Sequence, residues 1–319
     1  RVDPIIAPGQ ISQHLHSIHG GNAFSMNLSY NTLRTSTCTS CQVAQDLSAY
    51  WTPTLYFKDP VNGQFEKVPN GGLLVYYQNR GSADVANGGK GLKAFPAGFR
   101  MITGDPKKRS KIYQEGLGTQ AEMGERAIKS TCLRYTTNNP SYDFYGFPTT
   151  DCEAGLNSRL HMPACWDGVN LDSPDHKSHV AYLSQIDNGD CPSTHPIPLM
   201  KLFYEVTWDV NAFSSRWVGK PWPFVWSNSD PTGYGWHGDF FNGWDVGVLQ
   251  NAIDHCNQTP DQLNGLVQAC PYFTIIPATT AGACRAKATE VVEPINGPMA
   301  KLPGCNPLQY GPGDATLYS

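Results

Sequence analysis

Histidine is the chemical resource this chain spends most unevenly. His14, His16 and His19 crowd one short stretch, His176 and His179 close the run Cys165–His179, and His161, His195, His237 and His255 stand apart. If His14-Leu15-His16 is extended, both imidazoles project from the same strand face, because side chains two apart point the same way. Such a pair is a common platform for a metal ion, although a protein site ordinarily needs three or four ligands. Two imidazoles alone are also what hydrogen-bonded structural histidines look like. The segment Trp166–His179 adds Asp167, Asp172, Asp175, His176 and His179 in a chain otherwise poor in charge. An aspartate beside an imidazole orients it and raises its basicity, which serves a general base or a ligand. The same residues with Asn, Ser and Pro also build Asx-turns without catalysis. A metal set drawn from this reading is His14, His16, His176 and His179; on balance no metal and no cofactor is expected.

Carboxylates offer a second chemistry. Hydrolysis of a glycosidic bond needs two carboxyl groups across that bond, one acting as acid and the other as base or nucleophile. Glu205 lies mid-strand in an aromatic-rich run, where partial desolvation would favour its protonated form. Asp239 is the preferred partner, with Asp230 and Asp175 behind it. The stretch Trp226–Asp245 alternates Trp, Tyr and Phe with Gly, Asn and Asp. Aromatic faces of that kind stack on sugar rings, and the polar residues supply partners for hydroxyls. It equally describes a loop that covers a core edge. The catalytic expectation is therefore Glu205, Asp239, His176 and His237. Substrate is expected on Trp236, Tyr234, Trp244, Trp166, His14 and Asp230.

The elements that must hold these residues read as strands. Short β-rich runs recur between Gly, Pro and Asn at Trp51–Phe57, Leu73–Gln78, Gly98–Thr103, Thr131–Thr136, His179–Leu183, Leu199–Asp209 and Pro223–Trp226. In Leu202–Asp209 the residues Leu202, Tyr204, Val206 and Trp208 share one face and Phe203, Glu205, Thr207 and Asp209 the other, the pattern of a half-buried strand. Asp245–His255 is the best helix, with Gln120–Lys129 and Pro260–Val267 weaker. The expected fold is mainly β, a β-sandwich or jelly-roll-like arrangement with long loops and a few short helices, in one domain over residues 1–319.

Of the 319 residues 40% are hydrophobic and 11% aromatic, enough to bury a large core, which excludes wholesale disorder. Charged residues are only 16% and the net charge is −4, which disfavours a basic nucleic-acid clamp. No apolar run approaches the roughly 20 residues of a membrane-spanning helix. Ten cysteines at irregular spacing suggest up to five disulfides, with Cys38 and Cys41 read as a local structural pair. Asn27-Leu28-Ser29 and Asn257-Gln258-Thr259 are glycosylation sequons. A start at Arg1 without Met fits a processed, secreted protein. No G-x-S-x-G elbow, Walker loop, HExxH helix or EF-hand loop is present.

The opening Arg1–His16 resembles a large fungal family of secreted proteins, described as a domain of unknown function and often fused to WSC carbohydrate-binding domains. The resemblance continues through Ser48–Tyr56, Gly98–Gly104, Cys165–His179, Cys191–Pro196 and Asp230–Asp239. It implies secretion and a cell-wall or carbohydrate context, and it marks His14, His16, His176, His179, His195, His237 and Asp239 as motif positions without assigning them roles. The leading expectation is an extracellular, monomeric glycoside hydrolase acting on fungal or microbial wall polysaccharide. The alternatives are a metal-dependent lyase or phosphodiesterase built on the histidines, and a non-catalytic wall-binding protein.

Overall fold

The computed structural model describes residues 1–286 and 291–316 of the chain. Its architecture is mainly β, in four antiparallel sheets with short helices, as expected of a sandwich-like fold. The first sheet runs in the order β1 (His16–Gly20), β2 (Ala49–Pro53), β15 (His237–Phe241), β6 (Arg100–Gly104). The second is five-stranded: β5 (Asn70–Gln78), β13 (Lys201–Trp208), β9 (Leu156–His161), β7 (Ile128–Cys132), β8 (Tyr142–Phe144). Two three-stranded sheets flank them, β14 (Phe224–Trp226), β3 (Leu55–Lys58), β4 (Phe65–Lys67), and β11 (Val180–Ala181), β10 (Cys165–Trp166), β12 (Ile197–Pro198).

Alternation decides what packs where. On β13, Leu202, Tyr204, Val206 and Trp208 are buried while Phe203, Glu205 and Thr207 turn outward, as their spacing predicts. The inner residues meet Tyr50, Met101 and Phe240 of the four-stranded sheet in the main core. The two sheets approach so closely at Gly238 that a Cβ there would lie 2.5 Å from Leu160 Cδ2.

The four-stranded sheet is covered on its other face too. Ala49, Trp51, Ile102 and Phe241 pack there against Ile5 of the N-terminal segment and Leu33 of the helix Tyr30–Arg34. β2 and β15 are consequently buried on both faces. This is why His237–Phe241 reads as loop in the sequence: a strand covered on both sides loses its polar alternation.

Two helices are shorter than their patterns suggest. Gln120–Arg126 starts on a Thr119 cap and stops, because Ile128–Cys132 is drawn into the five-stranded sheet. Pro260–Leu263 holds a capping box with Thr259 and ends before Asn264-Gly265. Val246–His255 forms as expected, with the Asp245 carboxylate accepting from Val248 N at 3.1 Å. Among the described residues no helix is long and apolar enough to cross a membrane.

Among the described residues four disulfides join Cys38–Cys284, Cys132–Cys152, Cys165–Cys191 and Cys256–Cys270. The local Cys38–Cys41 pairing does not form: Cys38 reaches across the fold and Cys41 is a free thiol. The side chain of Cys305 lies outside the described residues. Chain-entropy arguments put the three short loops at about 3–4 kcal/mol each and the long Cys38–Cys284 loop at about 5 kcal/mol.

Candidate metal centre

The register of the four-stranded sheet builds the site. His16 pairs with Pro53, and His237 pairs with Gly104. Asp239 pairs with Trp51, so continuing that antiparallel register sets His237 opposite Pro53. One row across the outer face is therefore Gly104, His237, Pro53, His16, and the compact proline ring leaves the two imidazoles room to converge. His14, just before β1, joins them. Ring centroids are 4.3 Å apart for His14 and His16, 5.0 Å for His14 and His237, and 5.9 Å for His16 and His237. One nitrogen of each ring lies within 4.8 Å of the others, and all three residues are buried.

Hydrogen bonds fix which nitrogens carry lone pairs. His237 Nδ1 faces the Gly235 carbonyl at 2.8 Å and His16 Nδ1 faces the Val2 carbonyl at 3.2 Å. A carbonyl only accepts, so both Nδ1 atoms hold the proton and both Nε2 atoms expose a lone pair. His16 Nε2 and His14 Nδ1 have no hydrogen-bond partner, and His14 Nε2 sits 3.1 Å from His237 Nε2. Burial, reinforced by the neighbouring imidazoles, drives the His14 and His16 pKa values well down. Burial likewise takes His237 down to about 4. At neutral pH these are three uncharged imidazoles, the state that binds a metal.

Carboxylates occupy the next row. Asp239 lies between Trp51 and Ile102, buried, with Oδ2 unpartnered. Desolvation, then the Asp3 carboxyl, pushes its pKa well up. Asp3 arrives on the N-terminal segment, where its Oδ1 accepts from Ile5 N at 3.2 Å and Ile6 N at 3.1 Å. The loop bearing His176 forms the rim. Ile102 N donates to the His176 carbonyl at 3.1 Å, His176 Nδ1 donates to Asp172 at 2.7 Å, and Lys177 Nζ donates to the Gly104 carbonyl at 2.5 Å.

Beyond that rim opens a cleft of about 490 Å³, whose lining includes Gly104, the cross-strand partner of His237, with Asp105 and Lys177. Gly104 has φ +84°, and a Cβ there would meet Trp236 O at 2.6 Å and His237 Cα at 2.8 Å, so glycine is required beside His237.

Several expected site residues stand elsewhere. Glu205 points from the outward face of β13, bound by Arg159 Nε at 2.9 Å and by the Tyr76 hydroxyl at 2.9 Å. Its neighbour Tyr204 points the opposite way and donates to the Asp239 carbonyl at 3.2 Å. Adjacent strand residues face opposite sides, so Glu205 and Asp239 do not flank a common bond and the expected acid/base pair does not form. Trp236 and Trp244 are core residues, 1% and 2% exposed, which corrects their reading as sugar platforms. Trp166 is half-buried and donates to the Asn170 carbonyl at 2.6 Å, while Tyr234 does line the cleft.

Asp230 is fully buried; it accepts from Thr232 N at 2.7 Å and from Gly235 N at 2.6 Å, setting the turn whose carbonyl holds His237. Asp175 spends its carboxylate on Ser173, Lys177 N and Ser178 within a turn. His179 donates or accepts through both ring nitrogens, to Arg100 O and Ser173 Oγ, each at 2.8 Å. The expected metal set is thus corrected. His14 and His16 converge with His237, not with His176 and His179, and this is the one candidate cluster among the described residues. Asp3, Pro53, Gly104 and Gly235 escaped notice; only the His237-Gly-Asp239 alternation carried a usable signal.

Residues 3–244 match the family described as Domain of unknown function (DUF1996), and the chain belongs to that family. No curated protein and no solved structure matches the chain.

Proposed function

We propose that this DUF1996 chain is an extracellular, metal-dependent enzyme acting on carbohydrate, with His14, His16 and His237 holding one divalent transition-metal ion. The observation that carries the reading is the set of three buried, neutral imidazoles that converge, with His16 Nε2 and His14 Nδ1 left without a hydrogen-bond partner among the described residues. With its proton on Nε2, His14 donates to His237 Nε2 at 3.1 Å; moving that proton to the unpartnered Nδ1 frees both Nε2 lone pairs for a cation. Three imidazoles with room for a further ligand suit zinc, copper, nickel or iron. When bound, such an ion supplies Lewis acidity and an activated water.

The chain's own groups divide the remaining work. The Val2 and Gly235 carbonyls hold two ligands in the metal-ready tautomer. Asp239 offers an unpartnered oxygen one row along the same face, and the burial that favours its protonated form places it to give a proton to substrate. The adjoining cleft is of a size that takes small ligands. Four disulfides and two sequons support an extracellular setting. This departs from the carboxylate glycosidase expected from sequence, because Glu205 is engaged on another sheet.

The test is metal content per chain after dialysis against micromolar zinc, copper and nickel, followed by a polysaccharide panel with products read by mass. About one ion per chain, lost in His237→Ala, and chelator-sensitive product release are expected. A wild-type chain that retains no ion from any of these baths overturns the reading.

A further inference from the structure

We infer that the cleft beside the imidazoles accepts an acidic sugar residue, its anionic group held by Lys111 and Lys177. This deepens, and rests on, the carbohydrate-directed reading above. The argument turns on which charges in the cleft are already spent. Three ammonium groups line it, Lys108, Lys111 and Lys177, against three carboxylates, Asp105, Glu125 and Asp175.

The carboxylates are occupied by the protein itself. Glu125 accepts from Ile112 N at 3.0 and 3.1 Å and from Tyr113 N at 2.8 Å. Burial pushes Asp175 up, but bonds from Ser178, Ser173 and Lys177 N outweigh it and hold the group well below the usual carboxylate range. Asp105 accepts from Lys107 N at 2.9 Å.

The lysines are less committed. Lys108 pairs with Asp314 at 3.3 Å. Lys111 donates to the Tyr113 carbonyl and lies 4.9 Å from the Tyr145 ring centre, and Lys177 donates to the Gly104 carbonyl. Among the described residues neither is in ion-pair contact with a carboxylate, and an ammonium has three protons to give. The three carboxylates keep their charge, so the cleft's charges balance in sum; what sets Lys111 and Lys177 apart is that each has protons left to give, while the carboxylate oxygens are already engaged by the protein.

Tyr113, Tyr145, Tyr182 and Tyr234 line the cleft; the Tyr182 hydroxyl is engaged with Thr103 and the Tyr145 ring with Lys111 and Lys129, which leaves Tyr113 and Tyr234 to meet a sugar. A neutral sugar would use the tyrosines and leave both ammonium groups idle. A sugar carrying a carboxylate or a sulfate uses both sets.

Calorimetric titration of the metal-loaded protein decides it, with a uronic-acid oligosaccharide, its carboxyl-reduced neutral counterpart and a sulfated oligosaccharide of equal length. We expect at least one acidic ligand to bind about tenfold or more tighter than the neutral one, with the preference shrinking as salt rises. Whichever acidic ligand wins identifies the anion. Lys111→Gln and Lys177→Gln should each erase most of the preference while leaving neutral binding in place. Lys111 stands clear of the imidazoles, so that variant tests the idea even if Lys177→Gln perturbs folding. Equal binding of neutral and acidic ligands, or no binding by a chain that still holds one ion, overturns the inference. Metal content measured on the same samples separates this from failure of the metal reading, since the lysines do not depend on the ion.

Discussion

The outer faces of the two large sheets carry similar residue types and treat them in opposite ways. On the five-stranded sheet, Glu205 is tied to Arg159 and Tyr76. Buried Lys201 there donates to Gln78, His161 and Asp187, each at 2.8 Å. On the four-stranded sheet His14, His16 and Asp239 are as deeply buried and keep atoms with no partner. An unpartnered buried polar group costs about 1–3 kcal/mol. A fold that leaves three side chains so placed in one patch, while pairing every donor of Lys201, has reserved that patch for something it does not itself contain. Completed polar networks mark structure, and convergent incomplete ones mark a site.

The hardest blow to that contrast is removal of a ligand. His237→Ala should weaken metal binding by more than about 100-fold, measured by competition with a chromogenic chelator. Removing Lys201's partner in Gln78→Ala should leave affinity unchanged. If both variants hold metal equally well, the incomplete patch has no special standing.

Glycines sharpen the comparison next. Gly104→Val forces a side chain into Trp236 O and the His237 backbone at positive φ, and should cost about 2–4 kcal/mol of stability together with metal affinity. Gly72, on β5, has φ +94° but nothing within 4 Å of a Cβ. Gly72→Val should show only the backbone strain and leave metal binding alone. Denaturant melts of both variants, run with and without metal, read the difference.

How much of this was legible in the sequence follows from burial. β13 announced itself because one face is wet, so Leu202 to Trp208 alternate. β15 did not, since both its faces are covered, and His237, Gly238 and Asp239 on an interior strand look like loop chemistry. His14 and His16 declared their pairing through spacing, but their third partner is 223 residues from His14 and arrives only through sheet register. The Asp-rich run ending at His179 misled for the converse reason. Its polar atoms are dense because they satisfy one another in turns, as the fully bonded His179 shows. Trp236 and Trp244 misled because an indole in a Gly-rich stretch reads equally as platform or as core. Cys38 could not disclose Cys284, because a pairing across 246 residues leaves no local trace.

Acid tests the satisfied face. Burial, then the Lys201 charge, lowers the His161 pKa to about 3; Lys129 and Arg159 also depress it, and Asp187 opposes them. Above about pH 6.5 neither folded nor unfolded chain holds this proton. Below that, only the unfolded chain takes it up, until the folded group titrates near 3. Stability present at neutral pH should thus fall as pH drops from about 6.5 towards 3, by at most about 1.4 kcal/mol per pH unit from this group. His161→Gln keeps an acceptor for Lys201 and should flatten that slope in denaturant melts at pH 7, 5 and 4. An unchanged slope would mean the imidazole is not held neutral by its surroundings.

The smallest effect belongs to the residue that sequence made most prominent. Glu205 is only partly shielded, its side chain 17% exposed and its partner Arg159 31%. Paired charges in such a setting contribute about 0–1 kcal/mol. Glu205→Gln keeps the shape; its one amide oxygen can still accept from Arg159 while its NH2 donates to the Tyr76 hydroxyl. We expect a change in melting temperature of no more than a few degrees, metal content unchanged, and chelator-sensitive turnover within about twofold of wild type. A loss of turnover by a hundredfold or more, in a chain that still holds its ion, would return the chemistry to the carboxylate. It would also show that a completed ion pair on an outward strand face can be catalytic, and the contrast between the two sheets would fall with it.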